Sequence, residues 1–285
     1  MPAIPHPTFE RAFGADSPFR PAFSTGLGLL HAGDCMDLLA ATLDGSVDCV
    51  FADPPFNLRK EYGPGFTDDM PDGEYVAWCK RWLAECIRVL APGGSLFLYN
   101  LPRWNIVLGA WLMEQGLTFR HDIAIGMKAG FPIRGRLYPA RYSLLYMTKG
   151  DPRVFRTIRT PLETCRHCGK ELKDYGGYRS KMHEKGVSLT DMWTDIVPVR
   201  HKKYKTANRS ANALSTKILE RVVEISTLPG DLVLDPFGGS GTTFAVCEDK
   251  GRRWIGAEID FAAAIAGRLT DSPVPAHRND DHVCA

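Results

Sequence analysis

The stretch Asp231-Leu232-Val233-Leu234-Asp235-Pro236-Phe237-Gly238-Gly239-Ser240-Gly241-Thr242-Thr243 decides the fold. Asp231 to Leu234 reads as a short buried strand and Thr242 to Cys247 as a helix, joined by an acid and a glycine-rich turn. Strand, acid, glycine turn, helix is the layout of a nucleotide-type cofactor site, because glycines accept positive φ and let backbone approach a ligand closely. No G-x-x-x-x-G-K-[ST] occurs, so a P-loop is excluded. Gly239-Ser240-Gly241-Thr242-Thr243 runs into Phe244, so G-x-G-x-x-G lacks its third glycine. An acid at the strand tip suits an amino group or a sulfonium cation better than a pyrophosphate. The next strand, Trp254 to Glu258, ends in a second acid that could take ribose hydroxyls. A glycine turn with no ligand is the bland alternative.

Outward from this stretch the chain alternates strands and helices. Strands are expected at Gly26–His31, Val47–Ala52, Ser95–Tyr99, Ile123–Met127 and Tyr142–Met147. Helices are expected at Cys35–Leu43, Gly73–Leu90, Trp104–Met113, Leu214–Ser226 and Phe261–Leu269, with Pro92-Gly93-Gly94 stopping the second. The alternation predicts an α/β fold with a doubly wound, mostly parallel sheet. Residues 1–24, rich in Pro and Phe, read as an N-terminal arm, loosely ordered or draped on the surface.

Val47–Ala52 is continuous and apolar, as in a strand buried on both faces. It ends in Asp53-Pro54-Pro55-Phe56, and the two prolines force the chain out of the sheet with Asp53 at its lip. Proline has no N–H, so the turn offers carbonyl oxygens without competing donors. A carboxylate beside a free carbonyl suits a group with two N–H donors, an exocyclic amine. Phe56 offers a ring face to a planar base. A Pro-Pro turn capped by a solvated Asp is the competing reading.

The chain has 285 residues, 44% hydrophobic and 24% charged, with a formal net charge of +2. That excludes a disordered, collagenous or multi-pass membrane chain. No apolar run is long enough to span a bilayer, and the N-terminus has no signal-type apolar region. Eight scattered cysteines suggest no disulfide framework; a reducing, cytoplasmic setting is expected. The net charge hides a split. Residues 128–209 hold 19 Lys/Arg and 7 Asp/Glu, a net of +12 against −10 for the remainder. A basic segment on an acidic body is the footprint of a chain that grips a polyanion with one part, or of a solvated charged insert.

The two motifs together resemble the amino-methyltransferases of DNA. The catalytic motif of that family, D/N/S-P-P-Y/F, stands here as Asp53-Pro54-Pro55-Phe56. Its cofactor motif, D-P-F-x-G-x-G-T, stands as Asp235 to Thr242. Catalytic motif first and cofactor motif last is the order of the family's β class, a circular permutation of the methyltransferase (Rossmann-like) sheet. The resemblance implies S-adenosyl-L-methionine as cofactor, held by Asp34, Asp235, Pro236, Phe237, Gly239, Ser240, Gly241, Thr242 and Glu258. It implies adenine N6 as the methyl acceptor, since an Asp-first motif goes more often with adenine, and cytosine N4 as the alternative. It implies double-stranded DNA as partner and no membrane. A homodimer and a cognate restriction endonuclease, as in restriction-modification, come into consideration.

The order also divides the chain. Residues 25–149 form a catalytic half, 150–209 a basic target-recognition insert, 210–270 a cofactor half and 271–285 a tail. Ser210-Ala211-Asn212-Ala213 departs from the family's His-Pro-Thr-x-Lys-Pro-like element, leaving Asn212 as a guess for the methionine carboxylate. Arg134, Arg136, Arg141, Arg200, Lys202, Lys203 and Lys205 are candidates for phosphate contact. Cys165-Arg166-His167-Cys168 is half of a zinc knuckle with no second half; no metal is expected, and the pair reads as free thiols. Two competing classes share these residues: a DNA-binding regulator on an inactive scaffold, and a methylase of RNA or protein glutamine.

Overall fold

The alternation of apolar strands and amphipathic helices builds one mixed sheet with helices on both faces. The structure, a computed structural model, describes residues 7–14, 19–59, 68–126, 134, 135, 137–162, 177, 181–196 and 214–271. In chain order the elements are α1 (Pro7–Phe13), β1 (Phe23–Ser24), β2 (Gly28–Ala32), α2 (Cys35–Ala41), β3 (Val47–Ala52), α3 (Asp72–Val89), β4 (Leu90–Asn100), α4 (Pro102–Glu114) and β5 (Thr118–Gly126). There follow β6 (Arg141–Thr148), β7 (Arg159–Thr160), β8 (Val187–Ser188), β9 (Met192–Trp193), α5 (Thr216–Ser226), β10 (Leu232–Asp235), α6 (Thr242–Asp249), β11 (Arg253–Glu258) and α7 (Ala262–Asp271).

Nine strands pair in the order β1-β2-β11-β10-β3-β4-β6-β5-β9, and β7 pairs with β8 apart from them. The run β2, β11, β10, β3, β4 is parallel. The strand β6 lies antiparallel between β4 and β5. Every position of β3 is buried, as a parallel strand covered on both faces requires. Alternate residues feed two cores. Leu29, Val50, Leu234 and Ile255 join α2, α3 and α4 on one face; Leu30, Cys49, Phe51, Val233 and Trp254 join α5, α6 and α7 on the other. The described cysteines, Cys35, Cys49, Cys79, Cys86 and Cys247, are free and buried. Burial pushes the thiols of Cys35, Cys49 and Cys79 up to about 12, so they act as small apolar groups.

The structure departs from expectation in two places. The N-terminal residues carry α1, and Phe9, Ala12, Phe13 and Phe19 belong to the core. Phe13 and Phe19 stack with ring centroids 4.4 Å apart, and Arg11 Nη2 donates to Asp48 Oδ2 at 2.7 Å. Burying each ring contributes about 2–3 kcal/mol. Seven residues show too little periodicity to mark such a helix in sequence. Secondly, Pro92-Gly93-Gly94 lies inside β4. Val47 pairs with Leu90 and Cys49 with Ser95, so β4 bulges across Ala91–Gly94 and Gly93, at φ +75°, makes the turn. The helix α3 ends one residue before the strand starts.

Sheet order sets the place of the site. From β3 the chain passes through α3 to β4 on one side; from β10 it passes through α6 to β11 on the other. Chains leaving neighbouring parallel strands in opposite directions open a crevice at their carboxyl ends. Val233 lies opposite Cys49 and Leu234 opposite Val50. Asp235 and Asp53 therefore stand at the same crevice, Asp53 two residues, about 7 Å, further along.

Part of the 150–209 segment is anchored to the far edge. There β9 pairs with β5, Ile125 opposite Trp193. Arg221 of α5 lies over the Trp193 ring at 5.0 Å and donates to both oxygens of Asp195 at 2.9 and 2.7 Å. These bonds, with Lys217, lower the Asp195 carboxyl to about 2.

Candidate active site

All five parallel strands deliver a polar residue to the crevice. Asp34 follows β2, Glu258 ends β11, Asp235 ends β10, Asp53 follows β3 and Asn100 ends β4. The sequence places each at a strand's carboxyl end; only the sheet order makes them neighbours.

The glycine loop is held by its own acids. Gly241 caps α6 at φ +73° and Gly239 sits at φ +51°, conformations that a side chain would strain. Glu258 Oε2 accepts from Gly239 N at 2.6 Å, while Oε1 accepts from Asp260 N at 3.1 Å and Phe261 N at 3.3 Å. Asp235 is 2% exposed. Its Oδ1 accepts from Phe237 N at 2.9 Å and its Oδ2 from Thr243 Oγ1 at 2.5 Å. The side chain read as a cation contact therefore shapes the loop through both of its oxygens. Ser240 and Thr242 bond each other through their hydroxyls at 2.9 Å, and Arg268 donates to Ser240 O at 2.8 Å. Phe237 packs edge-on against Trp82, centroids 5.0 Å apart, and Pro236 is buried beside it. Asp34 caps α2 by accepting from Met36 N at 2.8 Å and is exposed.

Burial pushes the Asp235 carboxyl from 3.8 up to about 7; bonds from Thr243 and Phe237 pull it partway back, and Glu258 adds repulsion. The folded protein then keeps a proton that the unfolded chain has lost, so this group removes stability as pH rises from about 4 to about 7. Asp235→Asn ends the titration while still accepting from Phe237 N and donating to Thr243. Its melting temperature is expected to rise relative to the parent between about pH 5 and pH 8. A difference constant with pH would contradict a buried, titrating Asp235.

The Asp53 turn is built as a row of acceptors. Tyr75 Oη donates to Pro55 O at 2.7 Å, and Asn100 Nδ2 donates to Tyr75 Oη at 3.0 Å. Trp104 Nε1 donates to Phe56 O at 2.9 Å. Two of the three carbonyls are taken; that of Pro54 accepts no bond among the described residues. Asn57 holds φ +57°, a conformation asparagine tolerates. Its amide locks the turn by donating to Met70 O and accepting from Met70 N, both at 2.8 Å.

Around Asp53 stand three rings. Phe56 lies 5.8 Å from both Tyr99 and Tyr142, and those two lie 5.3 Å apart. Burial, then the Asp53 charge, raises both phenols above their ordinary range. The site therefore combines a carboxylate, a free carbonyl and aromatic faces. Tyr99, Tyr142, Tyr75, Asn100 and Trp104 escape the motif reading. For Tyr99 and Asn100 the signal is present, since Tyr99 closes the strand expected at Ser95–Tyr99 and Asn100 follows it; for Tyr75, Trp104 and Tyr142 it is not.

Of the proposed phosphate contacts, Arg134 is exposed. Arg141 donates from both terminal nitrogens to Asp122 Oδ2 at 3.1 Å and stays partly exposed. Arg136, Arg200, Lys202, Lys203, Lys205, Asn212, Cys165 and Cys168 lie outside the described residues. Among the described residues no group of His, Cys, Asp and Glu could hold a metal, and no helix is long and apolar enough to cross a membrane.

A family model described as DNA methylase, N6_N4_Mtase, matches residues 47–264. The chain is 54% identical over 258 residues to the type II methyltransferase M.BamHI of Bacillus amyloliquefaciens, covering 90% of this chain and 60% of that protein. It is 29% identical over 225 residues to the type II methyltransferase M.HpaI of Haemophilus parainfluenzae, covering 76% of this chain and 65% of that protein. The chain thus spans 60–65% of the length of these two relatives. Among solved structures it resembles the PvuII DNA methyltransferase (cytosine-N4-specific) with TM-score 0.64 at 19% identity, over 91% of this chain and 92% of that one. It resembles the M1.HpyAVI–SAM complex with TM-score 0.54 at 19% identity, over 85% of this chain and 100% of that one. These last two likenesses are of fold, and the fold is the Rossmann-like methyltransferase sheet.

Proposed function

The chain belongs to the DNA methylase family, and on that premise we propose that it is a site-specific DNA amino-methyltransferase using S-adenosyl-L-methionine. The observation that carries the reading is the meeting of two motifs at one switch-point crevice. The glycine loop with its two acids stands on one side, and Asp53 with the Pro54 carbonyl and a cluster of three tilted rings on the other.

The cofactor fits this crevice: the loop presents backbone at positive φ, and Glu258, whose carboxylate holds Gly239 N, stands behind it. Asp34, Phe237, Gly239 to Thr242 and Glu258 would hold it. When bound, it supplies a methyl group on a sulfonium, an electrophile that needs only a nucleophile in line. The chain's own residues prepare that nucleophile. An exocyclic amine is out of reach inside a duplex, so the base is extruded and Phe56 stacks on it. Asp53 and the Pro54 carbonyl accept the two amine hydrogens, which localises the nitrogen lone pair that conjugation draws into the ring. Tyr75 and Trp104 hold the turn so that these acceptors are set in advance.

The Asp-first motif reads as adenine N6. Cytosine N4 is the second reading. Incubation with labelled cofactor and duplex DNA, RNA or protein tests the class: label in DNA alone is expected. Nucleoside analysis then names the base, and base-resolution mapping of DNA from expressing cells gives the recognition site. A regulator on an inactive scaffold would bind duplex without transferring label. A homodimer and a cognate restriction endonuclease complete the reading, the latter in keeping with two relatives named type II methyltransferases.

The basic run 200–205 is read as phosphate contact. Replacing Lys202, Lys203 and Lys205 together by alanine is expected to flatten the log–log salt dependence of DNA binding by about 2–3. A parent-like slope would take this run out of the interface.

A further inference from the structure

The β5–β6 hairpin turns at the crevice end of the sheet. Along β6, Ser143 lies opposite Asn100 of β4 and Arg141 opposite Gly126 of β5. The chain therefore enters β6 at the end of the sheet where β4 closes with Asn100. The described part of the β5–β6 connection carries an apolar pair. Leu137 is 93% exposed, more than any other large hydrophobic among the described residues, and Tyr138 is 41% exposed. Arg134 and Pro139 are exposed beside them. Four residues past Tyr138, the Tyr142 ring already lies 5.8 Å from Phe56.

A single exposed leucine ordinarily asks for no explanation. This one stands five residues before Tyr142, whose ring lies 5.8 Å from Phe56, in a chain read as extruding a base. Extrusion leaves a gap in the stack, and apolar side chains that enter such gaps offset the loss of stacking. A leucine in water gains by that transfer, and a neighbouring arginine can hold a phosphate while it happens.

Resting on the function proposed above, we propose that Leu137, backed by Tyr138, is the wedge that enters the base stack as the target base moves onto Phe56. The test uses the full chain and a duplex bearing the site found by methylation mapping. The duplex is made in two forms, fully paired and with the base opposite the target removed. Leu137→Gly is expected to lower methyl transfer on the paired duplex by about tenfold or more. On the abasic duplex, where the stack is already broken, it is expected to return to within about twofold of the parent. Leu137→Phe, which keeps an apolar wedge, is expected to retain activity on both. Because Leu137 contributes little to the core, the melting temperature should match the parent's. Full activity of Leu137→Gly on the paired duplex would overturn the proposal. An equal loss on both duplexes would also overturn it, assigning Leu137 a different role. A parent enzyme inert on both duplexes would instead sink the underlying function.

Discussion

Asp53→Ala is expected to lower methyl transfer by about 10²–10³-fold while cofactor affinity stays within about twofold of the parent. The turn that presents Asp53 is held by several other groups. Tyr75 and Trp104 hold the carbonyls of Pro55 and Phe56, and Asn57 is bonded twice to Met70. On the proposed function, truncating the carboxylate removes an acceptor for the amine while these bonds remain. The glycine loop lies across the crevice on β10 and β11, with its own hydrogen bonds. Single-turnover transfer of labelled methyl to duplex DNA, together with calorimetric cofactor binding, reads the two halves separately. Near-normal transfer with cofactor bound would remove Asp53 from the chemistry. Loss of both would assign it to the fold.

Gly256→Ala is expected to cost about 1–3 kcal/mol of stability and to abolish cofactor binding. Gly256 lies in β11, opposite Asp235. A Cβ there would meet Phe244 Cζ at 2.1 Å and Asp235 O at 3.1 Å. Phe244 cannot simply turn away, because it stacks on Trp254 with centroids 4.5 Å apart and is fully buried. Its ring also underlies the loop: a Cβ at Gly238 would meet Phe244 Cε2 at 2.8 Å. A shift of Phe244 therefore moves the glycine loop itself. Thermal unfolding and a cofactor titration check the two effects. A variant of parent stability and affinity would show that this packing is looser than described.

Much of this was legible before any coordinates. The strands β3 and β10 announce themselves as apolar runs, because a parallel strand covered on both faces has no polar side to hide. Asp-Pro-Pro and the glycine loop mark where those strands must end, because proline cannot continue the ladder and only glycine turns freely at positive φ. Other features were illegible for equally physical reasons. The helix α1 is too short to show a period, and its buried phenylalanines become core only because α2 and β3 leave room for them. That Arg141 pairs with Asp122 of the neighbouring strand is likewise invisible in the chain, because the two lie 19 residues apart.

By itself, the sequence determined the parallel α/β class, the two loops that leave it and the chemical types they carry. These follow from local rules of burial, proline and glycine. Tertiary structure alone decided that β10 lies beside β3, which brings a strand from near residue 235 against one from near residue 50 and so joins the two loops into a site. It also decided that Asp235 faces inward, and that Tyr99, Tyr142, Tyr75 and Trp104 converge on the Asp53 turn. Pairing order and side-chain convergence depend on contacts between residues far apart in the chain, and local sequence patterns do not encode these one residue at a time.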